Sequence, residues 1–219
     1  RMDFHSDFTN SMNSIFGKYY HFLFRIIFKF FDFTFDKYYY IAPEMGDFIN
    51  KIYKLPKDKC ELLMLPGDDS HVASKSKIQC REKLGLEHGK IYLLHSGKLP
   101  EGKKTIELIK AIENLDVELI ICGSIYEKKS NLLTDLINVT ANVNYKGWVS
   151  PDELRELIKA CDLLIQPGTN SNTFVEAVCI GTPLILSNSP FSKELTKYKN
   201  GLIIESSVTV ENIRETVEI

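Results

Sequence analysis

Asp162–Ser187 reads DLLIQPGTNSNTFVEAVCIGTPLILS. Asp162–Gln166 is a short apolar run that stops at Pro167-Gly168. A loop of small polar residues follows, then helical spacing over Thr173–Ile180, then Gly181 and a second apolar run, Pro183–Ser187. Two such runs joined through a helix make a βαβ unit, which brings the strands together in parallel. Neither run alternates with polar residues, so both are expected to be buried on two faces, as in a sheet covered by helices.

The same rhythm extends toward the N-terminus. Ile91–Ser96 (IYLLHS) runs into Gly97, Thr105–Asn114 is helical, and Glu118–Cys122 (ELIIC) runs into Gly123. Leu132–Ile137 is helical and Val143–Tyr145 is extended, ending at Gly147. Ser150-Pro151-Asp152-Glu153 starts a helix to Ala160, with serine as the cap and proline in the first turn. The pattern predicts an α/β fold, a Rossmann-like doubly wound parallel sheet over residues 90–219. Ligands of such sheets sit beyond the carboxyl ends of the strands, so Gly97, Gly123, Gly147 and Gly168 mark the places to look. No GxGxxG follows any strand, which argues against a nicotinamide dehydrogenase.

Residues 1–65 are built differently. Of the 13 phenylalanines, all but Phe174 and Phe191 precede position 50. Ile15, Tyr19, Phe22, Ile26, Lys29 and Phe30 have helical spacing within an aromatic segment from about Asn10 to Asp36. Tyr38–Pro43 and Glu61–Leu65 read as short strands with a helix, Met45–Tyr53, between them, and residues 66–89 read as a linker. Arg25, Lys29, Asp32 and Asp36 interrupt the aromatic segment, so it is too broken to span a membrane. Core packing is the favoured role; a peripheral membrane contact, or self-association through exposed aromatics, are the others.

The net charge of −2 gives no basic field for nucleic acid, and no such partner is expected. The five cysteines show no CxxC pair or metal-ligand spacing, and three sit in apolar runs. The expectation is a reducing, cytoplasmic setting, extending to the inner membrane face if the aromatic segment meets lipid. No apolar stretch follows a basic start as a signal peptide requires, and an opening at Arg1 suggests a piece of a longer chain.

Gly97-Lys98-Leu99 leaves a strand, and Lys103 and Lys104 precede a helix. Cations beside free N–H groups at a helix start suit a diphosphate; a solvated lysine loop is the equal alternative. Glu176 lies among apolar neighbours in the second turn of its helix. A carboxylate there needs a partner, either two ribose hydroxyls or a nearby backbone or basic group.

Leu94–Ile185 resembles the C-terminal domain of retaining GT-B glycosyltransferases of the group 1 type. Gly97-Lys98-Leu99 stands in place of their GRL, and Lys103 falls six residues after the glycine, as in their pattern. Gly147-Trp148-Val149 matches their G[FW]V, and Glu176-Ala177 with Gly181-Thr182-Pro183 matches EA-x3-GTP. The resemblance implies that Lys98 and Lys103 hold the donor diphosphate. The Trp148-Val149 backbone would then meet the base, and Glu176 the ribose. The loop from Gly168 through Asn172 to Thr173 would offer N–H groups to sugar and phosphate. It also implies a nucleotide diphosphate sugar as donor, a glycan or lipid-linked acceptor, and no cofactor or metal requirement. Position 168, where the first Glu of E-x7-E is usual, is Gly168. Residues 1–65 resemble, more loosely, the end of the acceptor-side domain, with His5, between Asp3 and Asp7, at the place of a histidine facing the sugars. Two rival readings stand beside sugar transfer: a non-catalytic nucleotide-sugar-binding module, and a nucleotide-sugar epimerase of the same fold.

Overall fold

A computed structural model describes residues 14–125 and 130–218. His5, Asp3 and Asp7 therefore lie outside the described residues. The chain forms two compact units, Arg1–Leu65 and Pro66–Ile219.

In the first unit, α1 (Ile15–Phe31) starts at Ser14, whose Oγ accepts from the Gly17 N–H at 2.8 Å. Strands β1 (Tyr38–Tyr40) and β2 (Cys60–Leu62) pair in parallel, Tyr38 opposite Cys60. Between them lie α2 (Pro43–Phe48) and a π-helical turn, Ile49–Tyr53. His21 is the buried residue of α1 and hydrogen-bonds the Tyr53 hydroxyl at 2.8 Å. Lys59 donates to the Asp32 carboxylate at 2.9 Å, and the Tyr38 hydroxyl donates to it at 3.0 Å.

The second unit holds six parallel strands in the order β5-β4-β3-β6-β7-β8, where β3 is Tyr92–Ser96, β4 Glu118–Cys122 and β5 Val143–Gly147. The others are β6 (Leu163–Gln166), β7 (Leu184–Ser187) and β8 (Gly201–Ile204). This is the doubly wound Rossmann order, reversing between β3 and β6. Successive strand residues serve opposite faces: Leu93, Ile121, Ile165 and Ile185 join one core with Leu108, Leu133 and Ile213. These last three come from α4 (Thr105–Ile112), α5 (Ser130–Val139) and α9 (Val210–Val217). Leu94, Ile120, Leu164, Leu184 and Leu186, the alternate residues, are equally buried. On the helix side of that second layer, α6 (Pro151–Ala160) packs on β3, and α7 (Thr173–Ile180) packs on β7. Burial on both faces explains the unbroken aliphatic runs, each buried Leu or Ile contributing about 1.5–3 kcal/mol.

Residues 66–89, expected as a linker, belong to the second unit and carry α3, Lys77–Leu84. Ser76 and Gln79 form a reciprocal capping box, and Gly85 ends the helix at φ 68°. Helix α3 is recruited by charge: Arg81 donates to the Ala160 carbonyl at 2.9 Å and to Asp162 at 2.6 Å, and Lys77 also pairs with Asp162. Polar residues on a short helix give little apolar periodicity, which is why the pattern missed it. The Ser150 cap forms, Oγ accepting from the Glu153 N–H at 3.2 Å. Helix α8 (Pro190–Thr196), β8 and α9 complete the region after Ser187, where no element was expected.

Candidate functional site

The crevice opens where β3 and β6 part. Their ladder pairs Leu93 with Leu163 and Leu94 with Leu164, and side chains take over beyond it. His95 Nδ1–H donates to the Ile165 carbonyl at 2.9 Å, and its Nε2 accepts from the Thr105 hydroxyl at 3.0 Å. A carbonyl can only accept, so these partners set the tautomer. Burial holds the ring neutral, its pKa pushed down to about 3. One residue further on, Gln166 Nε2 donates to the Ser96 carbonyl at 2.7 Å. The gap at the switch point is thus bridged by two neutral side chains.

Glycines bring the backbones together at this end. Gly97 and Gly123 have φ of 111° and 130°, and a Cβ on Gly123 would stand 1.7 Å from the Gly97 carbonyl oxygen. Gly168 is just as confined: an added Cβ would meet the Gly102 oxygen at 2.1 Å and the Lys103 Cα at 2.5 Å. The Thr169 N–H donates to that same Gly102 oxygen at 3.0 Å. The start of the loop, Gly168 and Thr169, therefore lies directly on the short turn Glu101–Lys103 that precedes α4, and the position where the resemblance expects a glutamate has no room for one.

Lys103 sits beneath this contact, 4% exposed. Its ammonium donates to the Thr169 carbonyl at 2.9 Å and Gln166 Oε1 at 3.3 Å, and lies 5.8 Å from the centre of the Phe174 ring. The three lysines expected to act together are separated. Lys98 is exposed, between Gly97 and Leu99, whose N–H groups are pinned to Cys122 and Ser124. Lys104 takes a left-handed backbone, φ 60°, and pairs with Glu107 at 2.8 Å. Ser171 Oγ accepts from the Thr173 hydroxyl at 2.9 Å and lies 3.7 Å from where a Gly97 Cβ would be. Asn172 precedes α7 without a side-chain cap bond. Trp148 is 75% exposed and Val149 half-buried after β5.

Glu176, at the end of the first turn of α7, is half-buried and accepts no hydrogen bond among the described residues. Its one ion-pair partner among the described residues is Arg155 on α6, at 3.7 Å. Burial lifts its pKa above the usual carboxylate value, Arg155 opposes that, and Asp68 adds to it. Reading the sequence alone missed Gln166, His95, Ser171 and Arg155. Gln166 ends β6 and His95 stands one residue before the end of β3; a polar residue at the end of an apolar strand was the available signal.

The model of the family described as glycosyl transferases group 1 matches residues 76–219. The chain belongs to that family. An uncharacterised glycosyltransferase of Methanocaldococcus jannaschii is 25% identical over 177 residues, 74% of this chain and 45% of the relative. Among solved structures, a glycosyltransferase from Rickettsia africae superposes with a TM-score of 0.72 at 15% identity, covering 89% of this chain and 55% of that one. The Anabaena HepE structure in complex with UDP-glucose superposes with a TM-score of 0.68 at 16% identity, covering 84% and 53%. These likenesses show a GT-B glycosyltransferase fold. The chain spans about half the length of the relatives it matches.

Proposed function

We propose that residues 90–219 bind the donor of a sugar transfer, taking a nucleotide diphosphate sugar whose sugar passes to a glycan or lipid-linked acceptor with retention of configuration. Residues 1–65 are then the end of the acceptor-side domain. The observation that carries the reading is Glu176: a half-buried carboxylate that accepts no hydrogen bond among the described residues. Such a group near a Rossmann crevice suits two neighbouring hydroxyls of a ribose. Lys103 at the floor of the crevice and exposed Lys98 would stabilise the charge developing on the leaving diphosphate, without a metal being required of the protein. Retention rests on the family resemblance, and the donor class is supported by the UDP-glucose complex of the structural neighbour.

Titration calorimetry with nucleoside diphosphates and their 2′-deoxy counterparts tests this. Wild type is expected to prefer the ribonucleotide, and Glu176→Gln to lose about tenfold in that preference while keeping its thermal stability. Equal affinity for both sugars in wild type, or an unaltered preference in the variant, removes Glu176 from the site.

The confinement of Gly168 supports a second reading, a module that binds donor without transferring it, because the usual acidic side chain is absent there. Incubating donor with a panel of acceptors separates the two: a glycosylated product excludes the second reading.

A further inference from the structure

Arg155 is shared among three carboxylates. Nη1 donates to Asp152 Oδ1 at 3.0 Å, one turn back on α6; Nη2 lies 3.1 Å from Asp68 Oδ2 and 3.7 Å from Glu176 Oε1. The side chain is 15% exposed, and its Nε is buried with no hydrogen-bond partner among the described residues. From this geometry we infer that Arg155 is a positioning residue for ribose recognition, holding the Glu176 carboxylate in place by charge while leaving its oxygens free to accept. The inference rests on the reading of Glu176 given above.

Three features of the fold build the arrangement. Arg155, just past the first turn of α6, and Glu176, at the end of the first turn of α7, stand near the starts of helices that pack side by side, α6 after the Ser150 cap and α7 after the crevice loop. Gly67 lies flat on α7: a Cβ there would be 2.8 Å from the Val175 carbonyl and 2.6 Å from Cys179 Sγ. That close approach delivers Asp68 to Arg155, and Asp68 is itself held by the Ser70 N–H at 3.0 Å and hydroxyl at 2.6 Å. The guanidinium is clamped from two sides, so its distance to Glu176 is set by the frame and not by Glu176. At 3.7 Å the pair attract each other, but no hydrogen bond uses up a carboxylate lone pair. If Asp68 and Asp152 did not hold the guanidinium, it would close on Glu176 and take the positions that the hydroxyls need.

The test uses the whole chain with the tightest-binding member of a panel of nucleoside diphosphates, and its 2′-deoxy form. Arg155→Ala is expected to reduce the ribo-over-deoxy preference about tenfold and Arg155→Lys to restore part of it. In a Glu176→Gln background, Arg155→Ala should change the preference no further. A structural role alone would lower the melting temperature and leave the preference where it was. If Glu176→Gln abolishes the preference and Arg155→Ala does not, the role of Arg155 is overturned and the ribose reading survives. If Glu176→Gln leaves the preference intact, or wild type shows none, both fall.

Discussion

Phe174 is 1% exposed and Phe30 is 70% exposed, although both lie on apolar helix faces. Around Phe174 the second unit has helices on both faces of a six-stranded sheet, so the apolar side chains between these layers, Phe174 among them, are buried. Around Phe30 the described residues of the first unit form one long helix and a two-stranded sheet, and Phe16, Tyr19, Phe22, Phe31 and Phe33 are exposed with it. Phenylalanine content does not make a core; a second layer does. What orders the first unit is largely polar and aromatic stitching, through His21–Tyr53 and Tyr38–Asp32–Lys59.

This contrast can be broken most directly at the two phenylalanines. Phe174→Ala is expected to cost about 3–5 kcal/mol by urea denaturation, and Phe30→Ala to stay within about 0.5 kcal/mol. Comparable losses at both positions would mean that the helix face at Phe30 is covered in solution.

Gly168→Glu asks whether the crevice loop is as unyielding as the core. The new side chain must displace the Gly102–Lys103 backbone, so a loss of about 3 kcal/mol is expected, with weaker diphosphate binding and no gain in transfer. A variant of wild-type stability would show that the loop can lift.

A smaller effect, about 2 kcal/mol, is expected for Glu156→Gln. Glu156 is 2% exposed on α6 and meets Lys75, Lys83 and His71. Burial raises its pKa, but hydrogen bonds from Lys75, Lys83 and His71 outweigh this and hold it down to about 2. A carboxylate depressed in the folded state stabilises fully above its unfolded value, near 4.5, and that contribution is lost as pH falls through about 2. Urea midpoints of wild type and variant should therefore converge between pH 4.5 and 2. A gap that stays constant across that window would contradict the assignment.

The chain's local pattern determined the alternation of β3 through β7 with α4 to α7, because the inner strands β3, β4, β6 and β7 are buried on both faces and so apolar, while the edge strand β5 was marked by its ending at Gly147. It also located the glycines at the strand ends and the motif positions Lys98, Lys103, Trp148 and Glu176. It did not reveal α3, whose sequence is polar because ion pairs to Asp162 hold it, nor β8 and α9. Only the tertiary structure decided which lysine is buried, why residue 168 is glycine, and that Arg155 stands between Asp68 and Glu176. Local spacing carries periodicity along one element, whereas Gly168 against Gly102, or Asp68 against Arg155, joins positions brought together only when separate elements pack. Those contacts depend on distances across the fold, and no single stretch of sequence contains them.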